Sequence, residues 1–135
     1  MAEQPLARNK PGPKELEVVV GGLTDDGLGT ATTNDRPFHV RNALPGETVK
    51  ARLLRKRKGT RFGDGVAVID APHLDRAVPM CSYFPRCGGC ALQHMSYDFQ
   101  LRHKESQVRH ALGQWAIEPE NWAQPVSTGQ YSYRR

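Results

Sequence analysis

The sequence predicts a mainly β fold, a small five-stranded barrel followed by a C-terminal α-helical appendage, on three observations. Short β-branched or alternating runs recur between residues 15 and 71, each closed by a glycine or proline turn. A compact loop carrying all the cysteines follows. One longer amphipathic run with a helix start signal comes next. This pattern leaves an OB-like and an SH3-like barrel both open.

Residues 1–14 hold Pro5, Pro11, Gly12 and Pro13 among scattered Lys and Arg, which predicts a flexible basic tail. The barrel is expected over residues 15–72. Its first strand is Leu16–Val20, entering a Gly21-Gly22 break. Asp25-Asp26-Gly27-Leu28-Gly29 is a turn signal. Strands are expected near Gly29–Thr33 and Pro37–Val40, with a turn at Pro45-Gly46. Val49, Ala51 and Leu53 then alternate with Lys50 and Arg52, a half-buried strand with a basic outer face. Val66–Asp70 reads as its partner, and the polar stretch Arg55–Gly65 between them as an exposed hairpin. Residues 73–95 form the cysteine-rich loop. Ser96 is a helix N-cap, Asp98 suits the first turn, and Gly113 caps the end of a helix over residues 96–115. Tyr97, Leu101, Val108, Ala111, Leu112 and Trp115 fall near one face of it. Residues 116–135, with Pro119 and Pro125, receive no firm structure.

The chain has 135 residues, of which 38% are apolar, and its mean hydropathy is −0.62. No apolar run approaches the roughly 20 residues that span a bilayer. The first ten residues lack an apolar core, so a secretory signal is not expected, and the expected location is cytoplasmic. A net charge of +5 and a pI near 9.4 favour a polyanionic partner. The charge concentrates at Lys50, Arg52, Arg55, Lys56, Arg57, Lys58 and Arg61. On a strand and its hairpin these would present phosphate-binding cations; the alternative is a solvated charged loop. Phe62 and Phe38 offer stacking surface for unpaired bases, although Phe38 reads better as core. Arg102, His103, Lys104, Arg109 and His110 on the helix could extend the basic surface.

Cys81, Cys87 and Cys90 fall within ten residues, in Cys81-Ser82-Tyr83-Phe84-Pro85-Arg86-Cys87-Gly88-Gly89-Cys90. An odd, clustered set in a chain without a secretory signal points to a soft metal centre rather than disulfides. Three reduced core cysteines are the alternative. Zinc and cubane clusters usually take four protein ligands. His94, four residues beyond Cys90, is placed to complete a Cys₃His zinc site, with His73 a weaker candidate. His94 equally reads as a helix-entry residue. There is no G-x-G-x-x-G, no P-loop and no persuasive carboxylate pair, so no catalytic residue is assigned.

The order of these elements resembles the N-terminal part of the bacterial 23S ribosomal RNA uracil-C5 methyltransferases. The resemblance rests on Gly27-Leu28-Gly29, Ala43-Leu44-Pro45-Gly46-Glu47, Cys81 through Cys90, Gln93-His94, and Tyr97-Asp98-Phe99-Gln100-Leu101 with Lys104. Tyr131-Ser132-Tyr133-Arg134-Arg135 resembles the entry to that family's central domain, so that residues 116–135 would begin it. The resemblance implies that residues 15–72 are a TRAM domain, an OB-like RNA-binding barrel. It implies a [4Fe–4S] cluster on Cys81, Cys87 and Cys90, with a fourth cysteine further along. It implies S-adenosylmethionine as methyl donor and RNA as partner, ribosomal RNA first and transfer RNA second, with neither membrane nor DNA. The family's nucleophilic cysteine and carboxylate base belong to a methyltransferase domain that this sequence does not contain, so the chain alone is expected to be inactive. A standalone TRAM RNA-binding or chaperone module with a zinc-stabilised loop is the alternative.

Overall fold

Alternation of apolar and polar residues builds one strongly curled sheet. The computed structural model describes residues 12 and 14–132. The expected tail, apart from Gly12 and Lys14, and the last three residues lie outside the described part. Strands β1 (Glu15–Val19), β2 (Gly22–Leu23), β3 (Gly29–Thr33), β4 (Arg36–Arg41), β5 (Thr48–Arg57) and β6 (Thr60–Asp70) pair in the order β1-β5-β6-β4-β3-β2. All neighbours are antiparallel except β4 and β6, which run parallel. The link between β1 and β2 draws the two edges of the sheet together. There the Val20 amide donates to the Glu47 carbonyl at 2.9 Å, and the Gly21 amide donates to the Thr30 carbonyl at 2.7 Å.

Period-two patterning decides which side chains meet inside. Val18, Val20, Phe38, Val40, Ala43, Val49 and Ala51 form the core, with Leu16, Ala31, Leu53 and Val68 packed against it. Phe38 is wholly buried, as its place in the alternation predicts. It lies against Gly63, where an added Cβ would stand 2.8 Å from the Phe38 ring and 2.4 Å from the Arg52 carbonyl. Only glycine lets β6 pass this close.

The structure corrects the expected outline in four places. The sheet has six strands rather than five, because the Gly21-Gly22 break supplies the short β2. The exposed hairpin expected at Arg55–Gly65 is present, but the strands that form it are longer than expected. β5 and β6 run through it and turn at Lys58-Gly59, both at positive φ (47° and 82°), the geometry that matches strand twist in a two-residue hairpin. Helix α1 (Tyr97–Gln114) starts as expected, with the Ser96 hydroxyl accepting from the Phe99 amide at 3.2 Å. Its end is at Trp115 rather than Gly113, since the Trp115 amide still reaches the Leu112 carbonyl.

The fourth correction concerns the apolar face of α1. No helix residue is buried, and Val108 and Trp115 are exposed. The helix docks mainly through polar groups, with the Phe99 ring tilted against His73 at 5.0 Å. Gln100 donates to the Leu92 and Met95 carbonyls, Arg102 pairs with Asp75 at 2.7 Å, and His103 and Gln107 contact the Asp25 carbonyl. No helix among the described residues is long and apolar enough to cross a membrane.

Candidate nucleic-acid interface and cysteine loop

The seven expected cations differ in what they engage. Arg55, Lys56, Arg57 and Lys58 stand exposed at the tip of the β5–β6 hairpin. Among the described residues none of the four is in an ion pair, and the same holds for Lys50. Lys50 and Arg52 sit further along β5, in register with Glu17 and Glu15 of β1. Arg52 reaches Glu15 at 3.5 Å, an exposed pair of small energetic weight. Arg61 is engaged internally, donating to the Thr33 hydroxyl at 2.5 Å and tying β6 to the β3–β4 turn. Four uncompensated cations at a strand tip are what phosphate neutralisation requires.

Beside the hairpin lies a groove of about 520 Å³ on the outer face of the sheet. It is lined by Asp26, Leu28, His39, Arg41, Leu54, Arg55, Arg57 and Phe62. Phe62 is half-buried, so of the two phenylalanines considered for stacking it is the one on the outer face. His39, Arg41 and Asp26 did not figure in the expected site. The signal for His39 was present, since it alternates with the core residues Phe38 and Val40. Arg41 is neutralised by Asp64 at 2.5 Å.

A buried polar knot fixes the segment after the barrel. Glu47 is fully buried. Its carboxylate accepts from the Leu44 amide at 2.8 Å, the His73 amide at 3.0 Å, and Arg76 Nε and Nη2 at 2.6 and 2.7 Å. Burial pushes the Glu47 carboxyl up, but the Arg76 guanidinium and the two amides outweigh it and hold the carboxyl below its ordinary value. Arg76 also donates to the side chain and carbonyl of Asn42.

His94 packs behind this knot, wholly buried and stacked on Phe84 at 5.5 Å. Among the described residues neither ring nitrogen has a hydrogen-bond partner. Burial, helped by the nearby Arg76 charge, lowers its pKa to about 4. His94 is thus an inward-facing, neutral residue.

The cysteines lie on the opposite side of the balance between burial and exposure. Cys81, Cys87 and Cys90 are all free and exposed. Backbone bonds shape the loop: the Phe84 amide donates to the Cys81 carbonyl, the Cys87 amide to the Tyr83 carbonyl, and Gln93 Oε1 accepts from the Cys81 amide at 3.1 Å. Three accessible sulfurs are the right donor type for an iron–sulfur cluster or zinc. They are not assembled: among the described residues no three His, Cys, Asp or Glu side chains converge as a metal site. The fit is one of donor chemistry.

Comparison with known proteins agrees with this layout. Residues 13–68 match the TRAM domain family, a span that covers β1 to nearly the end of β6. An uncharacterized RNA methyltransferase of Halalkalibacterium halodurans is 44% identical over 97 residues, which are 72% of this chain and 21% of that protein. A 23S rRNA (uracil(1939)-C(5))-methyltransferase of Acinetobacter baumannii is 34% identical over 146 aligned positions, covering 100% of this chain and 31% of that protein. The enzyme of the same name from Pseudomonas savastanoi is 36% identical over 126 residues, 93% of this chain and 28% of that protein. The chain therefore spans less than a third of the length of these curated relatives. Residues 13–68 thus match the TRAM domain family, in a chain that is related in sequence to the bacterial RNA methyltransferases.

Proposed function

We propose that this chain is the RNA-gripping part of an S-adenosylmethionine-dependent RNA uracil-C5 methyltransferase, and that ribosomal RNA is the polymer it holds. One observation carries the reading: Arg55 through Lys58 are exposed at a hairpin tip and outside every ion pair among the described residues. The names of the relatives supply the polymer and the reaction. No residue of this chain is assigned to catalysis or to S-adenosylmethionine. The test is charge reversal of Arg55, Lys56, Arg57 and Lys58 to Glu. RNA affinity is expected to fall, and the slope of log K against log salt to flatten by about 0.7 per lost contact on single strands. An unchanged slope would mean that the tip is merely solvated.

The cysteine loop completes the reading. In it Cys81, Cys87 and Cys90 would hold a [4Fe–4S] cluster, which would cross-link the loop and supply a redox-tunable charge. The exposed, unpaired sulfurs support this. Iron and sulfide after anaerobic purification are the expected result. Zinc in their place would favour a zinc-stabilised RNA-binding module.

A further inference from the structure

Core packing explains Phe38 but not Phe62. Phe62 stands on the solvent side of β6, directly in register with His39 of the parallel strand β4 and with Arg55 of β5. The His39 and Phe62 rings meet edge to face, with centroids 5.5 Å apart and planes at 89°. The Arg55 guanidinium lies over the Phe62 ring, 5.2 Å from its centre. A register shift between Leu53 and Arg55 makes this possible. It turns Leu54 out to solvent, where it is 51% exposed, and brings Arg55 onto the face that carries Phe62. Bulges re-aim side chains in this way beside binding sites.

The geometry points to an unpaired nucleobase of RNA as the ligand of this groove, stacked on the Phe62–Arg55 pair with its edge turned toward His39. This rests on the RNA-binding reading above and specifies what the outer face adds to it. Two planar π-surfaces at a right angle form a corner: a flat ring lying on one presents its edge to the other. The guanidinium extends the stacking surface, since it is itself planar and weakly hydrated. The volume, about 520 Å³, lies within the roughly 300–1,000 Å³ of small-molecule clefts and admits one nucleotide rather than a helix. A paired base is excluded, because both its faces are covered by its neighbours in the stack.

The charges around the groove orient the nucleotide. Arg57 is exposed on the hairpin side and outside every ion pair among the described residues, and there it meets phosphate. Arg41 is held by Asp64, so it is not free to do the same. Asp26 at the opposite rim repels phosphate and can accept from a base N–H. The backbone therefore follows the hairpin, and the base points toward the Asp26 turn.

The experiment uses the full chain and a short single-stranded RNA carrying one 2-aminopurine. Binding is expected to quench its fluorescence. Phe62→Leu, which keeps apolar bulk but removes the π-face, is expected to weaken binding about tenfold or more, as loss of one base–aromatic stack does. The salt dependence should stay as in the parent chain, and Phe62→Trp should restore affinity and quenching. The same sequence as a duplex should bind at least about tenfold more weakly. Salt-dependent binding without quenching, or Phe62→Leu binding like the parent, overturns the stacking site while leaving the phosphate-binding hairpin standing. Should Phe62→Leu unfold the chain by circular dichroism, quenching by the parent chain and by Phe62→Trp decides the question alone. Loss of all RNA binding in the parent chain overturns both readings.

Discussion

Glu47 shows how far a single residue can be read from sequence. It lies in the Ala43–Glu47 stretch that carries the family resemblance, yet nothing local marks it as buried. Its partner Arg76 is 29 residues away, and pairing at that distance leaves no periodic trace. Four donors meet its two oxygens. Removing one charge from so enclosed a pair leaves the other uncompensated. Glu47→Gln is expected to cost about 3–5 kcal/mol, read from the midpoint of urea unfolding. A loss below about 1 kcal/mol would show that Arg76 finds water instead. Phe38 is the contrasting case. Its burial was legible because it and Val40 alternate with His39, and alternation is the one signal a strand writes into its own sequence.

At the scale of elements, the strands were legible and their ends were not. The run Arg55–Lys58 has no alternation, so the hairpin expected there gave no sign of how far its strands extend. It is held in the sheet by its partner strand and by a turn whose two residues both take positive φ. Lys58-Gly59 is not the Asn-Gly or Asp-Gly pair that announces such turns. Gly63 falls inside the stretch expected as an exposed hairpin, and it is the residue that lets β6 lie on the Phe38 ring. Gly63→Ala should destabilise the barrel by about 1–3 kcal/mol, because ring and carbonyl must both move, and a thermal midpoint equal to the parent's would contradict this packing. The helix start was legible for the opposite reason, since an N-cap acts over three residues. Ser96→Ala is expected to cost about 1 kcal/mol in the same melt. The helix stripe misled because tertiary docking went through Gln100, Arg102 and His103 and left Val108 and Trp115 outside.

At the scale of the molecule, acid should loosen the junction between barrel and cysteine loop. His94 titrates near its ordinary 6.5 when unfolded and at about 4 when buried. The unfolded chain therefore takes up the proton first. Stability is complete above about pH 6.5 and drains as pH falls toward 4, by up to roughly 3 kcal/mol. Glu47 adds to this at lower pH, because its depressed carboxyl contributes above its ordinary 4.5 and loses that contribution as pH falls through the folded value. Melting midpoints measured from pH 7.5 down to 4 should decline, and His94→Leu should flatten the first part of the fall. A flat profile in the parent chain would mean that the unpartnered ring nitrogens reach solvent.

The parallel pairing of β4 with β6 has a temporal consequence. β5 and the hairpin turn lie between these two strands in sequence, so pairing them closes a longer loop than the hairpin does. The β5–β6 hairpin needs nothing but its own neighbours, and hairpins form in about 1–10 μs, whereas non-local strand pairs wait on chain closure. The basic tip is thus among the first parts of the molecule to take shape, and the groove beside it, which needs β4, among the last.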